Sequence, residues 1–191
     1  TDADGIATIT WDVADKSMNV MSIEGLTQLN DCVDAALADE AVKGIVITSG
    51  KAGSFAGGMD LNLLAKMRED AGDDPAKGLF EGTMKMHHLL RKIERAGMDP
   101  KTNKGGKPIA SVLPGTAAGI GLELPLACHF RIAASEGAKI GLLIMDEVNN
   151  IIDKVKPKFF IIENPKRHIF PGPERSFFLH HFCYLIYPAL L

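Results

Sequence analysis

Isoleucine and threonine dominate the short run from Gly5 to Trp11, the mark of a β-strand. A polar stretch through Asp15 and Asn19 follows. Ser22 then stands where a helix cap would, ahead of Ile23, Leu26, Leu29, Val33 and Leu37, whose spacing is close to the period of about 3.6 residues of a helix. Gly44 to Thr48 is a continuous β-branched run between turn residues and reads as a strand buried on both faces. Ser49 to Met59 reads as a glycine-rich loop, after which Asp60 opens a short helix through Leu61, Leu64 and Met67. The polar stretch Arg68 to Gly78, with Gly72, Asp73, Asp74 and Pro75, is expected to be a mobile connection. Leu79, Thr83, Met86, Leu90 and Ile93 line one face of a second long helix. Gly97 to Pro108 is a basic loop, Ile109 to Leu113 a strand, Pro114-Gly115 a turn, Gly119 to Cys128 a helix and Phe130 to Ala133 a strand. Strands alternating with helices predict an α/β layered fold.

Composition narrows the function classes. With 46% apolar and 24% charged residues in 191, the chain has the material for a core, which excludes disorder over its whole length. A formal charge of −3 offers no electrostatic reason for nucleic acid or an anionic membrane as partner. Cys32, Cys128 and Cys183 are far apart, which argues against a disulfide framework or a zinc ribbon and for a reducing, cytoplasmic setting without a metal. No basic patch followed by an apolar run stands at the N-terminus, so no secretory signal is expected. Phe177 to Leu191 is interrupted by His180 and His181 and is shorter than the roughly 20 residues of a membrane helix, so no span is expected. Of nine Phe, two Tyr and one Trp, eight lie from Phe159 onward, whereas Gly172 is the single glycine after Gly141. This shift divides the chain near Leu142 into a first part, 1–142, and an atypical tail, 143–191. Pro157, Pro165, Pro171, Pro173 and Pro188 interrupt any long helix in that tail, which is expected to pack poorly on the first part.

Candidate chemistry gathers at two glycine-rich loops that follow strands and run into helices: Gly53 to Asp60, and Gly115 to Glu123. Small residues let backbone N–H groups approach a ligand, and a helix N-terminus adds the positive end of a dipole. Two such groups converging from different loops could hold an anionic oxygen; the same residues also fit two tight turns. Gly119-x-Gly121 has the start of a dinucleotide fingerprint, but Leu124 occupies the third glycine's place and no phosphate-loop lysine motif is present. Glu123 stands in an otherwise uncharged run from Ile120 to Cys128 and is expected to be partly desolvated, a setting that suits general acid–base work; a solvent-facing helix glutamate is the plain alternative. Cys32 and Cys128 are expected in the core, His87-His88 on the surface or in packing, and His129 in a capping or packing role at the helix end.

The first loop, Phe55-Ala56-Gly57-Gly58-Met59-Asp60-Leu61, and the second, Pro108 to Cys128 with Gly115-Thr116-Ala117-Ala118-Gly119-Ile120-Gly121-Leu122-Glu123-Leu124, resemble the two signature loops of the enoyl-CoA hydratase (crotonase) superfamily. Ala138 to Leu142 resembles the strand that leads to that family's second catalytic glutamate. Lys16 to Met21 and Gly57 to Leu61 are similar to the hydratase part of multifunctional fatty-acid-oxidation α-subunits, in which a 3-hydroxyacyl-CoA dehydrogenase follows. The resemblance implies an α/β, crotonase-like spiral of repeated ββα units, incomplete at the C-terminus, and hydration of 2-enoyl-CoA in fatty-acid β-oxidation. It places an oxyanion hole on the N–H groups of Met59 and Ile120, and substrate contacts on Ala56, Gly58, Asp60, Leu61 and Gly119. Glu123 takes the place of the water-activating glutamate. It implies coenzyme A as part of the substrate with no further cofactor, and homo-oligomers or a multienzyme complex as assemblies.

One departure bears on the chemistry. After Gly141-Leu142 the family continues Pro-Glu, and here Leu143-Ile144 stands, so Ile144 occupies the second glutamate's position. Glu147 is the nearest carboxylate, in a context that does not match. The alternative reading is therefore a catalytically impaired acyl-CoA-binding remnant. Pro125 removes one backbone N–H from the second loop's helix, tolerable if that helix begins near Ile120.

Overall fold

The computed structural model describes residues 1–60, 62–63, 69, 74–141 and 159–163. Strand β1 (Ile6–Trp11) is followed by helix α1 (Ile23–Ala38), β2 (Gly44–Ser49), β3 (Ser54–Ala56), α2 (Pro75–Arg95), β4 (Ile109–Leu113) and β5 (Thr116–Ala118). Helix α3 (Ile120–Ala127), β6 (Phe130–Ala134), β7 (Ile140–Gly141) and β8 (Phe159–Glu163) complete the described elements. Strands β1, β2, β4 and β6 pair in parallel in one sheet, β8 adds to β6 antiparallel, and β3, β5 and β7 form a second parallel sheet. Each of β2, β4 and β6 thus hands the chain to a short strand of the second sheet. After β2–β3 and after β4–β5 a helix leads back, so the ββα unit repeats.

Local chemistry accounts for the helices. The Ser22 hydroxyl accepts from the Gly25 N–H at 3.0 Å and satisfies an otherwise orphaned donor of α1. Leu29, Val33 and Ala36 are buried on one face of α1, while Cys32, expected in the core, is exposed: it is a single residue, about 100°, from Val33. Helix α2 starts at Pro75, within the stretch expected to be a connection, because Asp74 caps it by accepting from the Lys77 N–H at 3.0 Å and proline suits the first turn. Its buried stripe is Met86, Leu89 and Ile93, whereas Thr83 is exposed. Helix α3 begins at Ile120, which puts Pro125 in its second turn, at the loss of one intrahelical bond.

Alternation along the large sheet builds two apolar faces. Ile45, Ile47, Ile109 and Leu113 join Phe55, Val33 and Leu124 in the larger cluster, while Val46, Ala110, Val112, Phe130 and Ile132 form the other. Phe159–Glu163, in the segment expected to pack poorly, is a strand on the edge of this sheet, with Ile132 opposite Ile161. The remaining expectations for the tail, and the short helix through Leu61, Leu64 and Met67 apart from helical Asn62 and Leu63, lie outside the described residues. Among the described residues no helix is long and apolar enough to cross a membrane.

Candidate active site

The first loop is held by the segment before α1. Asn19 is fully buried, and its amide donates to the Trp11 carbonyl at 2.7 Å, the Ser49 hydroxyl at 2.9 Å and the Phe55 carbonyl at 3.1 Å. Its side-chain oxygen accepts from the Val13 N–H at 2.9 Å. Backbone pairing continues from there: Gly57 N–H donates to the Asn19 carbonyl, Met21 N–H to the Gly58 carbonyl and Asp60 N–H to the Met21 carbonyl, at 2.8, 2.8 and 2.9 Å. Met21 and Met59 are thereby bridged in parallel.

The second loop lies against the first, and glycine makes the approach possible. An added Cβ at Gly115 would fall 1.8 Å from the Gly53 carbonyl oxygen, and one at Gly121 would fall 2.6 Å from that of Ala56, so α3 seats its first turn on β3. Gly58 and Gly119 have φ of +112° and +53°, backbone that L side chains rarely adopt. These two residues also approach each other: a Cβ on Gly119 would meet the Gly58 Cα at 3.8 Å. The Gly119 N–H donates to Gly141 at 3.1 Å, which ties the turn to β7.

Met59 and Ile120 follow those two glycines directly. Neither N–H has a hydrogen-bond acceptor among the described residues, although the neighbouring Gly58 and Gly119 carbonyls and the Asp60 and Gly119 N–H groups are all engaged. Ile120 is 5% exposed, and its N–H is one of the orphans at the start of α3, at the positive end of the helix dipole. Among the described residues, Met59 and Ile120 therefore each leave a donor without an acceptor beside the approach of Gly58 to Gly119, as the N–H groups of Gly58 and Gly121 do. Such a pair suits an oxygen that gains negative charge.

The other sequence candidates fall in different places. Glu123 is exposed, which overturns the expected desolvation: Leu124 next to it turns into the core and leaves Glu123 open to solvent, about one turn on from Ile120. Ala56 is wholly buried under Gly121 and offers no open surface. Asp60 is half-buried and accepts from the Asn62 N–H at 2.9 Å. Leu61, Ile144 and Glu147 lie outside the described residues. Cys128 is buried, and that burial pushes its thiol up to about 12 against the smaller opposing pull of Arg131 and Ser111. His129 is buried and its Nδ1 accepts from the Ile109 N–H at 2.9 Å, so the neutral ring carries its proton on Nε2. His87 and His88 are exposed, and among the described residues no three His, Cys, Asp or Glu side chains gather as metal ligands do. In the sequence Asn19 is one residue of a polar stretch. A lone polar residue shortly before an apolar helix carries no periodic signal, and its burial emerges only once three strands surround it.

A family model described as enoyl-CoA hydratase/isomerase matches residues 1–146. The chain is 31% identical over 133 residues to the fatty acid oxidation complex subunit alpha of Shewanella frigidimarina, covering 70% of this chain and 17% of that protein. It is 32% identical over 148 residues to the protein of the same name from Idiomarina loihiensis, covering 73% and 19%. The chain thus spans less than a fifth of the curated relatives it matches. A solved enoyl-CoA hydratase from Thermoplasma volcanium superposes with a TM-score of 0.57 at 28% identity, over 74% of this chain and 49% of that one.

Proposed function

This chain belongs to the enoyl-CoA hydratase/isomerase family and has its crotonase-like fold, and on that premise we propose that it binds 2-enoyl thioesters of coenzyme A and hydrates them to 3-hydroxyacyl thioesters in fatty-acid oxidation. Water adds at the β-carbon and a proton at the α-carbon, and in between electron density moves onto the thioester oxygen. The N–H groups of Met59 and Ile120 receive that oxygen, and their lack of any other acceptor among the described residues is the observation that carries the reading. Preorganised donors of this kind are each worth about 2.7–4 kcal/mol in the transition state. Because the donors are backbone groups, a methionine and an isoleucine serve as well as smaller residues. Gly58 and Gly119 flank the bound thioester, and Asp60 continues the wall beyond it; a substrate contact at Leu61 rests on the family pattern alone. Ala56 acts from beneath as the seat of α3. Glu123 orients and activates the water. Coenzyme A enters as part of the substrate, with no other cofactor. Assembly with further subunits is part of the proposal, since the relatives are named as subunits of a complex.

A second reading rests on Ile144, which stands where the family pattern places its second glutamate: the chain is then a remnant that binds acyl-CoA without turning it over. A hydration assay with crotonyl-CoA and a longer enoyl-CoA, followed by loss of the conjugated absorbance, separates the two. Slow turnover of a bound thioester supports the first reading. Binding with no turnover supports the second. Failure to bind either thioester contradicts both.

A further inference from the structure

We infer that Asn19 is a positioning residue whose carboxamide sets the register of the Phe55–Asp60 segment and so aims the Met59 N–H at the thioester oxygen; this rests on the function proposed above. Backbone polar groups alternate in direction along an extended segment. The Gly58 carbonyl and the Asp60 N–H both face Met21, at 2.8 and 2.9 Å, so the N–H of Met59 between them faces the opposite way. A slip of one residue would turn that N–H into the Met21 pairing and present a different group to the second loop.

Asn19 resists that slip. Its amide reaches the ends of β1 and β2 through Trp11 and Ser49, and it reaches β3 through Phe55, while its own carbonyl takes the Gly57 N–H. Its side-chain oxygen is filled by Val13. A buried amide is costly unless its polar atoms are paired, and here every one is, by groups that converge only in this register. An apolar residue in the same space would leave the Phe55 and Trp11 carbonyls without these bonds and nothing to select the alignment.

The test uses the full chain and a cinnamoyl thioester of coenzyme A. The absorption of this conjugated thioester moves to longer wavelength when its carbonyl accepts hydrogen bonds. The unmodified protein is expected to bind it with such a shift. N19S, whose side chain is too short to span the three acceptors, is expected to keep affinity within about fivefold, because the nucleotide end of coenzyme A still binds, while losing more than half of the shift. A folded N19S that binds with the full shift overturns the role of Asn19 and leaves the site intact. An unmodified chain that binds without any shift overturns the Met59 and Ile120 site and Asn19's role with it. Should N19S fail to fold, hydrogen exchange in the unmodified chain decides. The Asn19 carboxamide protons and the Gly57 amide are expected to open together, within about threefold of one protection factor. A carboxamide exchanging at the solvent rate, beside protected Met21 and Asp60 amides, overturns the inference.

Discussion

Gly119 has φ +53° and ψ −128°, a combination reserved almost entirely for glycine. Space is not the obstacle, since the nearest atom to an added Cβ is 3.8 Å away. G119A is therefore expected to cost about 1–3 kcal/mol in urea unfolding through backbone strain alone, and to weaken thioester binding as Ile120 is displaced. Glu123 gives the opposite pattern. It is exposed, so E123Q should leave stability within about 0.5 kcal/mol while lowering any hydration at least about 100-fold. Unchanged turnover in E123Q would remove Glu123 from the mechanism. The two described cysteines differ in the same legible way. Iodoacetamide near pH 8 is expected to modify exposed Cys32 and spare Cys128, whose thiol, at about 12, stays protonated until denaturant exposes it; peptide mass mapping reads the result.

At the scale of elements, long periodic segments were legible and short ones were not. The apolar spacing of α1 and the β-branched run of β2 are visible because many residues repeat one signal. Strands β3 and β5 span three residues each, too few for a period of two, and both were hidden inside the glycine-rich loops. The start of α2 is masked in the sequence: Asp74-Pro75 carries a cap and a first-turn proline, but the surrounding glycine and aspartates give the stretch the composition of a loop. The two glycine-rich loops stand out in composition, whereas the roles proposed for Met59, Ile120 and Glu123 rest on resemblance. No pattern in one chain tells which N–H will lack an acceptor. Two substitutions separate helix stability from site geometry. S22A removes the cap of α1 and should cost about 1 kcal/mol with thioester affinity unchanged. G121A forces a methyl to 2.6 Å from the Ala56 oxygen and should cost about 1–3 kcal/mol while also weakening the thioester, because α3 moves off β3 and takes Ile120 with it.

For the whole molecule, the repeated ββα architecture brings two loops that follow the inner strands β2 and β4 to one place, and the tail adds an edge strand beside β6. On the proposed alignment, in which Ile144 takes the position of a second glutamate, hydration is expected to run at least about 100-fold slower than in a two-glutamate relative, since one general acid–base contribution of about 10²–10⁴ would be missing. Replacing Leu143-Ile144 with Pro-Glu should recover part of that rate. A full rate in the unmodified chain would mean that Glu147 or another carboxylate fills the role.

In the proposed function Met59 and Ile120 hold the thioester oxygen. Calorimetry with an acyl-CoA thioester and its thioether analogue, which keeps the coenzyme and the acyl chain but lacks the carbonyl oxygen, tests it most directly. Two hydrogen bonds at about 0.5–1.5 kcal/mol each correspond to a preference for the thioester of about 5- to 150-fold. Equal affinity for the two ligands would contradict the account.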